Sequence, residues 1–109
     1  MNNDRFLSML SLCRKAGGLT LGADKTEDAL RAGRAFAVLL ADDASDNTRR
    51  NIIRTSAEYG VPVIGGYDAQ SIARAVGRSS LAAVGVTIGS FGKRLLEMSG
   101  ANNFRGDVL

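Results

Sequence analysis

The sequence predicts an α/β fold in which a mostly parallel sheet lies between helices. Three observations point there. Segments with helical apolar spacing alternate with short apolar strands along the chain. One such strand, Phe36-Ala37-Val38-Leu39-Leu40-Ala41, is apolar without a break, as a strand covered on both faces must be. Glycine falls just past each of four helical patterns, at Gly17, Gly33, Gly60 and Gly77, where helices commonly stop. Right-handed crossovers connect parallel strands in such folds.

The first helix is capped by Asn2 or Asn3 and runs to about Lys15, with Phe6, Met9, Leu10 and Cys13 on one stripe. Leu19 to Leu21 is a short extended piece. Gly22 turns the chain into a second helix from about Asp24 to Ala32, opened by Asp24-Lys25-Thr26-Glu27, an acidic variant of the capping box. The buried strand at Phe36 to Ala41 follows, then a polar loop from Asp42 to Asn47. Asn47 or Thr48 starts the third helix, which turns Ile52, Ile53, Ser56 and Ala57 inward. Val61 to Ile64 is a strand, and Pro62 places it at an edge or at its own first position, because proline cannot donate to the ladder.

Asp68 caps a fourth helix that carries Ala69, Ile72, Ala73 and Val76. The loop Arg78 to Ser80 leads into a strand over Leu81 to Ile88. Gly89-Ser90 opens the last helix, with Phe91, Leu95 and Met98 on one face. Residues 1–98 read as one domain. Residues 99–109, rich in Gly, Asn and scattered charge, read as a loose tail.

Composition narrows the chemistry. The chain has 109 residues, of which 45% are apolar, enough for one core. No apolar run is long enough to cross a bilayer, and Phe6 to Cys13 is too short for a signal peptide, so a cytoplasmic protein without membrane partners is expected. Cys13 is the only cysteine, so no internal disulfide forms, and its apolar stripe makes it a buried structural thiol. There is no histidine, which removes a classical zinc site and both Ser–His–Asp and Cys–His catalysis. No cofactor or metal is called for, and the chain reads as a binding protein, not an enzyme. The net charge of +3 is modest and favours anionic partners.

Ligands of open α/β sheets gather at loops beside helix N-termini. Three loops share one end in this reading: Gly22 to Lys25, Ala41 to Ser45, and Gly77 to Ser80. At the first, free N–H groups and Lys25 suit a phosphate, while Asp24 caps. At the second, Asp42-Asp43 are loop and cap acids; a magnesium-dependent phosphoryl transfer is the sharper alternative. Gly17-Gly18 and Gly65-Gly66 are turns, since neither phosphate-loop fingerprint is present. Arg49, Arg50 and Arg54 read as a solvated helix face.

Several strings then take on a family likeness. Ala16-Gly17-Gly18-Leu19, Leu21-Gly22-Ala23-Asp24, Leu30-Arg31-Ala32-Gly33-Arg34-Ala35, the run from Val38 to Thr48, Tyr59-Gly60-Val61-Pro62-Val63 and Ala75-Val76-Gly77-Arg78 occur in order. Together they resemble the kink-turn RNA-binding ribosomal protein superfamily of the large-subunit proteins L-seven-Ae and L-thirty-e, in its bacterial branch. The resemblance spans about Met9 to Leu96. It implies a three-layer α-β-α sandwich with a central mixed, mostly parallel four-stranded sheet. It also implies a monomer that recognises sharply bent RNA, as ribosomal RNA or another kink-turn-containing RNA, in association with the ribosome.

Contacts would come from the turn into helix two, that helix's first turns, and the loop before the last strand. Carried onto this sequence, they are Gly22, Ala23, Asp24, Lys25, Arg31, Arg78, Ser79 and Ser80. The family's Gly-x-Asn-Glu-x-x-Lys stands here as Gly22-Ala23-Asp24-Lys25-Thr26-Glu27-Asp28. Lys25 thus exchanges an acceptor for a donor, Asp28 replaces a typical lysine, and Ser79 stands where Glu is frequent. The alternative is a protein-interaction domain built on the same fold.

Overall fold

Ala37, Val38, Leu39 and Leu40 are all buried, and they alternate between two cores. Successive side chains of a strand point to opposite faces, so each face of this strand must be covered by its own helical layer. The computed structural model, which describes residues 4–99 and the backbone of Asn103–Phe104, has those layers. Its elements are α1 (Arg5–Lys15), β1 (Leu19–Leu21), α2 (Ala23–Arg31), β2 (Ala37–Leu40), α3 (Asp46–Glu58), β3 (Val63–Ile64), α4 (Ala69–Ala75), β4 (Ala83–Val86), α5 (Gly89–Ser99) and β5 (Asn103–Phe104).

One core lies between the sheet and α1, α4 and α5, where Leu10, Leu39, Ile64, Ile72, Val84 and Leu95 meet. The other lies under α2 and α3, where Ala29, Leu30, Val38, Leu40, Ile52 and Val63 meet. The α-β-α sandwich and the mixed sheet are as expected. The sheet order is β1-β4-β2-β3-β5, with a two-residue fifth strand at the β3 edge.

The mostly parallel character needs correction. β2 and β3 are the parallel pair; β1–β4, β2–β4 and β3–β5 are antiparallel. β1, β2 and β3 do point the same way, as helical crossovers between them require. The chain between β3 and β4, however, returns to the end of the sheet it left: Asp42 N–H donates to Tyr67 O at 2.8 Å just after β3, and Ala41 N–H donates to Ala82 O at 2.8 Å just before β4. β4 therefore runs backwards, and it inserts between β1 and β2, separating two strands that alternation alone makes neighbours.

Element ends follow local chemistry. Asp4 caps α1 by accepting from Leu7 N–H at 3.1 Å, one or two residues later than Asn2 or Asn3, which lie outside the described residues. Ser45 caps α3 by accepting from Thr48 N–H at 3.2 Å, so that helix starts earlier than expected. Asp68 caps α4 as expected, accepting from Ser71 N–H at 2.8 Å, and those hydrogen bonds hold its carboxyl below the usual range. Thr55 is buried on α3 where Ala57 was expected, and Ala57 is exposed. Phe36 precedes β2 and is 53% exposed, with its ring beside Gly89 and its Cβ beside Gly92 of α5. Pro62 lies just before β3, and its carbonyl accepts from Val38 N–H at 3.0 Å. Of the expected tail, Ser99 closes α5 and Asn103–Phe104 pair with β3; residues 100–102 and 105–109 lie outside the described residues. No helix among the described residues is long and apolar enough to cross a membrane.

Cys13 is fully buried on α1, and its thiol donates to Gly18 O at 3.3 Å. Burial pushes its pKa from 9.0 to about 11. Burial, and then the hydrogen bond to Asp4 at 2.8 Å, raise Tyr67 as well. Both groups are held neutral in the folded protein. Their stabilisation is complete below pH 9 and is lost as pH rises through the folded values. For Cys13 alone the loss between pH 9 and 11 is about 2–3 kcal/mol, at about 1.4 kcal/mol per pKa unit. Urea unfolding at pH 8, 9, 10 and 11 should show this decline, and Cys13→Ala should make it shallower. An unchanged slope in that variant would assign the loss to other groups. The native thiol should also fail to react with an aromatic disulfide at pH 8 until urea is added.

Candidate nucleic-acid interface

The start of α2 is built around Gly22. At φ 104° and ψ 158° it occupies a region that side chains exclude. Its N–H donates to Ala83 O at 2.9 Å and its carbonyl accepts from Thr26 N–H at 3.1 Å, so one residue ties β4 to the first helical turn. Beneath it, Thr26 is fully buried, with its hydroxyl 3.0 Å from that of Thr20 on β1. Thr20 Oγ1 also accepts from Gly85 N–H at 3.0 Å. A helix, an edge strand and the neighbouring strand are thus joined through two hydroxyl groups.

The expected acidic capping box does not form. α2 begins at Ala23, its N-cap is Gly22, and no side chain caps it. Gly22 takes the chain from strand to helix too abruptly to leave an acceptor-bearing residue at the cap, and Asp24 falls inside the first turn. Glu27 turns instead to Arg31, at 3.1 Å. By helical geometry the N–H groups of Ala23, Asp24 and Lys25 have no acceptor within the helix. Such an end carries positive dipole charge and attracts anions. Asp24 and Lys25 are exposed there, and Gly22 and Ala23 are half-buried.

The other two loops meet this one at the start of β4. Gly22 bonds to Ala83 and Ala41 bonds to Ala82, from opposite sides. Ser80 is two residues before Ala82, so chain reach holds their Cα atoms within about 7 Å. Arg78, Ser79 and Ser80 are exposed, and Arg78 N–H closes α4 on Ala73 O at 2.8 Å. Arg31 does not join the group. It lies at the far end of α2, about 12 Å along the axis from Ala23, in its ion pair with Glu27.

Asp42 and Asp43 hold the second loop to the turn after β3. Asp42 Oδ1 accepts from Gly66 N–H at 2.8 Å, and Asp43 Oδ1 accepts from Ala69 N–H at 2.8 Å. They are loop and cap acids, and no group of three or more potential ligands suited to a metal ion occurs among the described residues. Arg49, read from sequence as solvated, donates to the carbonyls of Ala41 at 3.3 Å and Asp42 at 2.8 Å and fixes the loop. Sequence reasoning also missed the Thr20, Thr26 and Gly85 clamp. A signal existed: Thr26, Ala29 and Leu30 fall at i, i+3 and i+4 on the buried side of α2.

Comparison with known proteins agrees with this architecture. Residues 4–95 match the model of the ribosomal protein L7Ae/L30e/S12e/Gadd45 family. RNA-binding protein YlxQ of Enterococcus faecium is 27% identical over 97 residues, covering 89% of this chain and 93% of its own. RNA-binding protein YlxQ of Bacillus subtilis (strain 168) is 28% identical over 98 residues, covering 90% and 98%. Among solved structures, a protein of unknown function from Bacillus halodurans superposes with a TM-score of 0.83 at 26% identity, covering 86% of this chain and 95% of that one. A 15.5kD RNA binding protein from Giardia lamblia superposes with a TM-score of 0.73 at 17% identity, covering 94% and 91%, a likeness of fold.

Proposed function

The chain belongs to the ribosomal protein L7Ae/L30e/S12e/Gadd45 family, and on that premise we propose that it is an RNA-binding protein that recognises sharply bent RNA. The observation that carries this reading is the uncapped N-terminus of α2, pinned to the start of β4 by Gly22 N–H and Ala83 O at 2.9 Å. A rigid set of amide donors suits a strand whose phosphates and exposed base edges are turned outward at a bend, where RNA is read by shape and not through a duplex groove. In this reading Gly22, Ala23, Asp24 and Lys25 form the first contact, and Arg78, Ser79 and Ser80 form the second. The YlxQ relatives, named as RNA-binding proteins, support the ligand class. The protein acts by binding, as a monomer in the cytoplasm, on ribosomal RNA or on the ribosome.

The test compares a kink-turn RNA with a straight duplex of equal length at two salt concentrations. The bent RNA should bind more tightly at both. Lys25→Ala and Arg78→Ala should each weaken that binding about 5- to 10-fold. Arg54→Ala, on α3 with its guanidinium on Asn51, should leave it unchanged. Equal and steeply salt-dependent affinities for both RNAs would reduce the interaction to bulk charge and defeat the proposal. Capture of a protein partner without RNA affinity would establish the protein-interaction alternative instead.

A further inference from the structure

Arg14, on the last turn of α1, reaches Gly77 at the end of α4, which lies in the chain between Arg74 and Arg78. Gly77 N–H donates to the carbonyl of Arg74 at 3.4 Å, and Arg78 is the next residue. A Cβ built on Gly77 would lie 3.8 Å from Arg14 Nη1, which reaches across from the last turn of α1. All three side chains are exposed, and none forms an ion pair among the described residues. Beside them, a cleft of about 220 Å³ runs between α1 and α4, lined among others by Ser8, Ser11, Ser71, Arg74 and Asp4. The acids here are engaged. Asp4 accepts from Leu7 N–H and from the Tyr67 hydroxyl, and Asp68 accepts from Ser71 N–H, with Arg74 adding its field.

The cleft also has a direction. α4 links two of the loops already described: it starts where Ala69 N–H meets Asp43, and its seven residues run roughly 10 Å to Gly77, which opens the Arg78 to Ser80 loop. The cleft hydroxyl groups, the Arg74 side chain that lines it and the Arg14 guanidinium at Gly77 are the kinds of donor that phosphodiester oxygens take up.

We propose that the α1–α4 cleft, with Arg14 and Arg74, is a second phosphate-binding surface that holds one arm of a bound RNA beyond its bend. The inference rests on the RNA-binding reading above and extends its footprint. Arg78 stands between the two surfaces and belongs to both. The cleft contributes affinity and salt dependence, while preference for the bend stays with the start of α2.

The experiment uses the full chain and its Arg14→Ala/Arg74→Ala variant. The probes are a short-armed bent RNA, the same RNA with each arm extended in turn, and a straight duplex. Affinity is measured over a salt series, and circular dichroism confirms that the variant is folded. With one extended arm, the double variant should bind about tenfold more weakly, and the slope of log affinity against log salt should fall by about two. On the short-armed RNA it should stay within about twofold of the unaltered protein. Equal losses on both RNAs, or none with either extended arm, would overturn the inference. If the unaltered protein shows no preference for bent over straight RNA, the underlying reading fails first, and that result is obtained before any variant is used.

Discussion

Gly85→Ala should cost about 4 kcal/mol of stability, a large share of what a domain of this size has. Gly85 sits within β4, between β1 and β2. A Cβ there would lie 2.6 Å from Thr20 Oγ1 and 3.3 Å from Thr26 Cγ2. Thr20 is β-branched and has few rotamers to retreat into. Turning its hydroxyl away gives up both the bond from Gly85 N–H and the contact with Thr26. Overpacking costs about 1–3 kcal/mol, and each lost hydrogen bond adds about 0.5–1.5 kcal/mol.

Thr20→Ala on its own should cost about 1–2 kcal/mol through the lost bonds. Combined with Gly85→Ala it removes the atom the new methyl would strike. The double variant should therefore be more stable than the sum of the singles requires, by about 1–2 kcal/mol in a double-mutant cycle of urea unfolding. Strict additivity would show that the hydroxyl is not the obstacle.

This clamp also marks where the sequence stopped being legible. Helix and strand identities followed from apolar spacing, and the four helix-ending glycines, at φ values of 66° to 77°, stand where the patterns ended. Those signals are local, so one residue and its near neighbours carry them. The insertion of β4 is not local. Alternation fixes the direction of β1, β2 and β3, but which strands become neighbours depends on where the chain between β3 and β4 returns, and the hydrogen bonds of Asp42, Asp43 and Ala41 decide that across gaps of 24 to 41 residues. The candidate site divides in the same way. The three loops were visible as breaks between patterns, and they do meet around Ala82 and Ala83. Arg31, which the family resemblance implies as a contact, lies at the other end of its helix. The capping-box spacing points to Asp24 as the cap; nothing local to Asp24 reveals that Gly22 takes a backbone conformation that starts the helix earlier.

That conformation makes Gly22→Ala the variant expected to affect recognition most. A Cβ on Gly22 would meet no atom within 4 Å, so no clash opposes the substitution. The cost is torsional, since φ 104° with ψ 158° lies in a region essentially confined to glycine, at about 1–3 kcal/mol. The chain can relieve that strain by rotating about φ, which swings the N–H away from Ala83 O and moves the first turn of α2 relative to β4. Affinity for bent RNA should then fall at least about tenfold, because donors preorganised at one spacing no longer match the strand. Gly33→Ala is the matched control. Gly33 also has positive φ, 72°, and open space around it, but it lies past the other end of α2. Both variants should lower the urea midpoint, and only Gly22→Ala should lose affinity when each is measured at a temperature where it is fully folded. Equal loss from both would trace the effect to general destabilisation, and full affinity in Gly22→Ala would remove the α2 N-terminus from the interface.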